Sequence, residues 1–163
     1  SLASPGDILE ELRIKIKNTL HKSNTENEMT DGIDIALVEF DLLEKYFTYA
    51  GANNPIIVVR DDEIIEFEPT DNPIGKYINE TDFVDHKFNF KENDLLYLYT
   101  DGFLDQNGGI ENRKFFSTNF KNLLKEHHHK SLTDQKILLK EIFTDWKGSK
   151  PQVDDVTVIG IKI

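Results

Sequence analysis

The chain has 163 residues, 38% of them hydrophobic with 11 Phe, enough to bury one domain's core and roughly two-thirds of its unfolded surface. Thirty acidic against 19 basic residues leave a net charge of −11, which repels a polyphosphate backbone and excludes nucleic acid as the expected partner. There is no Cys, hence no disulfide or thiolate metal site, and no apolar run approaches membrane-spanning length.

The opening SPGDILEELRIKIKNTLHK has Ser4 as an N-cap, Pro5 at the first helical position and Asp7 in the first turn. Ile8, Leu12, Ile16 and Leu20 recur every four residues, so the spacing predicts an amphipathic helix over about 5–22. Residues 23–32 are polar and read as a loop. The stretches IDIALVEFD (33–41) and YFTYAGA (46–52) read as strands, and PIIVVRDDEIIEFE (55–68) as a hairpin turning at Asp61-Asp62. HKFNF (86–90) and LLYLY (95–99) are further strands, the second apolar on both faces.

After a Gly108-Gly109 turn, Phe116, Phe120, Leu123 and Leu124 fall on one face of an expected helix. A second helix over about 132–146 groups Leu138, Leu139, Ile142, Phe143 and Trp146, and Gly148 and Pro151 stop it. The chain closes with a strand over 156–163, preceded by Asp154-Asp155. This order allows few βαβ units, so an antiparallel α+β layer packing is expected.

Two apolar strands share one feature, an Asp at the end. Asp101 follows the strand 95–99, and Asp154-Asp155 precede the last strand. If these strands are antiparallel neighbours, Asp101 and Asp154 share one rim of the sheet. Two carboxylates that close repel unless a cation sits between them, and oxygen-only ligands suit Mg²⁺ or Mn²⁺. The competing reading is plain: Asp-Gly is a common turn former, and Asp-Asp before a strand is an ordinary loop.

The stretches DGIDIALVEFD, FTYAGANNPIIVVR, NPIGKY, LLYLYTDGFLDQNGG, KFF and QVDDVTVIGIKI occur in this order across nearly the whole chain. In order and spacing they resemble the C-terminal part of the metal-dependent serine/threonine protein phosphatases, in their bacterial SpoIIE-like branch. The resemblance implies an αββα fold, a layered antiparallel β-sandwich flanked by helices. It also implies two divalent cations, Mn²⁺ or Mg²⁺, that lower the pKa of a bridging water and screen the phosphate it attacks. By position, Asp101 and Asp154 match metal-binding aspartates. Gly102, Asp155 and Asp105 are supporting positions, with a solvated loop role equally open for Asp105. Asn53 and Asn54 sit in a turn that could border the substrate groove.

The family's early D-x-x-G-H-G-like motif, whose Asp bridges both metals, has no counterpart here. Asp31-Gly32 matches a different block. The expectation is therefore a single partial phosphatase domain over residues 1–163, N-terminally truncated to roughly the last two-thirds, with an incomplete metal shell and little activity of its own. The resemblance implies a phosphoprotein substrate, an upstream sensor domain in the parent protein and a cytoplasmic location. Sheet edges exposed by truncation favour a homo-oligomer.

His127-His128-His129 cannot share one helical face and reads as a solvated helix end rather than a zinc site. His21 and His86 are isolated, and no Gly-x-Ser-x-Gly elbow supports a Ser/His/Asp triad. The alternative function is a non-catalytic module of the same fold that holds a phosphoprotein or regulator.

Overall fold

The computed structural model describes residues 3–20 and 32–163, so most of the expected polar loop, His21 and Asp31 lie outside the described residues. In chain order the first elements are α1 (Pro5–Leu20), β1 (Gly32–Ile33), β2 (Ile35–Asp41), β3 (Tyr46–Ala52), β4 (Ile56–Arg60), β5 (Glu63–Phe67), β6 (Ile74–Gly75) and β7 (His86–Asn89). They continue with β8 (Leu95–Tyr99), α2 (Gly102–Asp105), β9 (Asn107–Gly108), β10 (Arg113–Lys114), α3 (Ser117–His127), α4 (Leu132–Lys147) and β11 (Val158–Lys162). Two compact units result, Ser1–Ile56 with Phe67–Lys91, and Ile57–Glu66 with Glu92–Ile163.

In the first unit, α1 begins with a reciprocal cap: the Asp7 N–H donates to Ser4 Oγ (3.2 Å) and the Ser4 N–H to Asp7 Oδ2 (3.1 Å). The helix buries Leu9 at 1% exposure, with Leu12 and Ile16 beside it, whereas Ile8 is 44% exposed. The expected stripe through Ile8 is thus corrected to one through Leu9. A strict spacing of four drifts about 40° per step around a helix of 3.6 residues per turn. Arg13 takes the next inward position, donating to Thr81 O (2.9 Å) with its guanidinium 4.8 Å from the Phe83 ring centroid. The sheet of this unit runs β2-β3-β7, antiparallel throughout, and Asp34 interrupts the expected 33–41 strand between β1 and β2.

In the second unit, a four-stranded sheet runs β11-β8-β4-β5. Asp61 (φ 48°) and Asp62 (φ 64°) both adopt the left-handed conformation that the twist of a two-residue hairpin requires. Arg60 forks onto Asp94, Nε to Oδ1 at 2.9 Å and Nη2 to Oδ2 at 2.5 Å. Asp94 is 2% exposed, so this pair ties the end of β4 to the residue before β8. Helices α3 and α4 close over Ile57, Val59, Leu95, Tyr97 and Tyr99 with Phe120, Leu123, Leu124, Leu139 and Phe143. Ser131 caps α4 by accepting the Asp134 N–H (3.1 Å), and Gly148 (φ 56°) ends it as expected.

Phe116 departs from expectation. It precedes α3 at φ 68°, ψ 147°, and its side chain is 51% exposed, while Phe115 is buried in its place. The chain must turn there for the Phe116 N–H to reach Leu104 O (3.0 Å), and the turn reverses which Phe faces inward.

The Tyr97 hydroxyl donates to Gln135 Oε1 (2.6 Å), and burial pushes its pKa up to about 12 from 10.0. Because the folded value is the higher one, this stabilisation is complete below pH 10 and fades as pH climbs towards 12. Tyr97→Phe should remove that alkaline loss and cost about 1–3 kcal/mol at neutral pH, by leaving the Gln135 oxygen without its donor. Urea unfolding at neutral and alkaline pH checks both.

Candidate functional site

Tyr99 at the end of β8 and Val158 at the start of β11 are antiparallel partners. Pairing runs one step further through Thr100. Its N–H donates to Thr157 O (3.0 Å), its Oγ1 accepts the Thr157 N–H (3.0 Å), and its hydroxyl donates to Asp155 O (2.9 Å). One side chain therefore binds the other strand at two points. Asp101 comes next, at φ −68° and ψ −15°, and its carbonyl accepts the Asp105 N–H (2.9 Å) to close α2.

Gly102 is where the two segments touch. A Cβ there would stand 2.4 Å from Asp155 O and 3.3 Å from the Asp154 carbonyl carbon, so only glycine permits this approach. The structure thus brings Asp101, Gly102, Asp154 and Asp155 to one rim, with the three aspartates exposed and Gly102 buried. The Asp154 carboxylate is turned by its neighbour, Oδ1 accepting the Asp155 N–H at 2.7 Å. Asp105 lies one helical turn on, paired with Lys114 at 2.7 Å.

Asn53 and Asn54 belong to the first unit and form a turn there. Asn53 is left-handed (φ 56°), its Nδ2 donates to Asp34 Oδ1 (2.9 Å), and Asn54 O accepts the Tyr49 hydroxyl (2.6 Å). His86 stacks on Tyr49 at 5.8 Å, and the rings of His128 and His129 stand at 89° to one another.

Sequence reasoning missed the groups that hold this rim. Thr100 looks like the tail of a strand, and Gln106, with no exposed surface, like a loop residue. The glycine pair looks like a plain turn. In fact a Cβ on Gly108 would lie 2.0 Å from Trp146 O, and the Gly109 N–H donates to that same oxygen (2.9 Å). The only signal in the sequence was the coincidence of a Trp at a helix end with two adjacent glycines.

Carboxylates are the hard donors that Mg²⁺ and Mn²⁺ prefer, and Asp101 and Asp154 stand on the two segments that meet at Gly102. Among the described residues, however, no group of three or more His, Asp or Glu side chains gathers closely enough to hold a metal ion. Two carboxylates fit a divalent cation in the kind of donor they offer.

The fold is shared with solved phosphatase domains. The SiaA-PP2C domain of Pseudomonas aeruginosa superposes with a TM-score of 0.88 at 25% identity, covering 99% of this chain and 61% of that one. The phosphatase domain of SpoIIE from Bacillus subtilis, also studied in a Mn-presoaked form, gives a TM-score of 0.62 at 21% identity over 96% of this chain and 71% of that one. In sequence the chain is 25% identical over 154 residues to Stage II sporulation protein E of Bacillus subtilis (strain 168), covering 94% of this chain but 18% of that much longer protein. All of residues 1–163 match the family described as Stage II sporulation protein E (SpoIIE), and the chain belongs to that family.

Proposed function

We propose that this chain is the metal-binding C-terminal part of a phosphatase that hydrolyses phosphoserine or phosphothreonine in a regulatory protein. Its parent would be a bacterial signalling protein with an upstream sensor domain, acting in the cytoplasm. The observation that carries the reading is the rim shared by Asp101 and Asp154, in a chain matched throughout by the SpoIIE family.

In this reading Asp101 and Asp154 hold divalent cations, Mn²⁺ or Mg²⁺, while Gly102 and Asp155 keep the two segments in register. When bound, such ions supply an activated water at neutral pH and screen the charge of the phosphoryl group. Two carboxylates are an incomplete shell, so the 163-residue chain alone should bind metal weakly and hydrolyse little. A longer parent carrying the D-x-x-G-H-G-like motif should be active.

The sparse shell also favours a second reading, a module that binds a phosphoprotein without cleaving it; a parent sequence lacking that motif would support it. Among the described residues β11 is outermost in its sheet, with Ile159 half exposed, which favours pairing with a further strand or a second copy. A monomer by light scattering would count against the second copy. No helix among the described residues is long and apolar enough to cross a membrane.

The central test is Mn²⁺-dependent hydrolysis of a phosphoserine peptide by the longer parent. Asp101→Asn or Asp154→Asn should each lower kcat/KM by more than about 100-fold, since even partners outside the ligand shell are worth roughly 10–100-fold. Undiminished activity in either variant overturns the assignment. Gly102→Ala should destabilise this chain by about 1–3 kcal/mol, because the added methyl must displace the Asp155 carbonyl. Thermal unfolding measures that loss.

A further inference from the structure

Asp154 is held from both sides, and both grips come from the segment that carries Asp101. On its C-terminal side, Thr100 binds Asp155 O and the Thr157 N–H. On its N-terminal side the grip is Gln106. Its Nε2 donates to Pro151 O (3.1 Å) and to Asn107 O (2.9 Å), and its Oε1 accepts the Val153 N–H (3.3 Å). An amide that gives to residue 151 and takes from residue 153 pairs with an extended backbone as a neighbouring strand would.

The amide is itself fixed. Gln106 has no exposed surface, and its carbonyl accepts the Trp146 indole N–H at 2.9 Å. The indole packs edge-on against Phe115 at 5.3 Å, which roots the clamp in the core. Residues 151–155, by contrast, are exposed and belong to no strand. The clamp therefore anchors a segment that contributes little to packing, one residue before Asp154.

We propose that Gln106 is a positioning residue: its side-chain amide sets where Asp154 stands relative to Asp101, and thereby the affinity of the rim for a divalent cation. This rests on the reading of Asp101 and Asp154 as ligands. With Glu ionised at neutral pH, no other side chain of this size both donates and accepts here. Glu keeps the acceptor and loses the donor, and Met keeps the shape and loses both.

The test is a Mn²⁺ titration of the 163-residue chain, followed by paramagnetic broadening of its backbone amide resonances. In the wild type, the amides of Gly102 and Asp155 should broaden first. Gln106→Met and Gln106→Glu should keep a dispersed spectrum, and the apparent Kd for Mn²⁺ should rise by about 10–100-fold. Tyr97→Phe, which loses a buried hydrogen bond elsewhere in the unit, should leave Kd within about twofold and so controls for general destabilisation. An unchanged Kd in a folded Gln106 variant overturns the proposal, as does loss of dispersion in both variants, which would make the amide a folding element. Absence of local broadening in the wild type would overturn the ligand reading itself, and this inference with it.

Discussion

The site depends on one register: Tyr99 opposite Val158, continued by Thr100 opposite Thr157. A slip of one residue would turn every side chain of β11 to the other face and carry Asp154 away from Asp101. Apolar burial alone does not forbid that slip strongly, because β11 alternates only loosely between half-buried and exposed positions. Thr100 supplies the missing specificity. Its hydroxyl meets a carbonyl and an N–H that only the observed register presents together.

The far end of β8 is fixed by different chemistry. There the buried Asp94 takes both fork positions of Arg60, and that hydrogen bonding raises the guanidinium pKa still further above its ordinary value. Removing one partner of so buried a pair would strand a charge, so β4 and β8 are locked more firmly than packing requires. One end of β8 is thus held by a charged pair and the other by neutral hydrogen bonds. The aspartates stand at the neutral end.

Much of this was legible in the chain. The strands 46–52 and 95–99 match β3 and β8 at both ends, because β-branched and aromatic runs bounded by turn residues have one good solution. The antiparallel meeting of residues 95–99 with the last strand entered the sequence reading only as a condition, and β8 and β11 meet it. Leu9 was missed because a four-residue repeat drifts around the helix, so that Leu12 and Ile16 pack beside the core while Ile8, at the start of the repeat, does not. Phe116 was missed because a backbone turn, not periodicity, decides which Phe is buried. Gln106 was beyond reach, since its partners lie 45 and 47 residues away and are backbone atoms, which leave no trace in residue type. The roles of Asp101 and Asp154 came from resemblance rather than from spacing.

The character of the clamp bears on what the rim can do. Two carboxylates brought together repel, and a protein can offset that by pairing each with Lys or Arg. A cationic partner would also compete with any metal for the same oxygens. Here the bonds that set the approach come from a threonine hydroxyl, a glutamine amide and main-chain groups, all uncharged. They fix the course of the backbone that carries Asp154. Lys114 is engaged with Asp105 one turn away. The bonds from Thr100 and Gln106 end on main-chain atoms of residues 151, 153, 155 and 157 rather than on the Asp154 carboxylate, so a divalent ion bound by that carboxylate would not have to displace them.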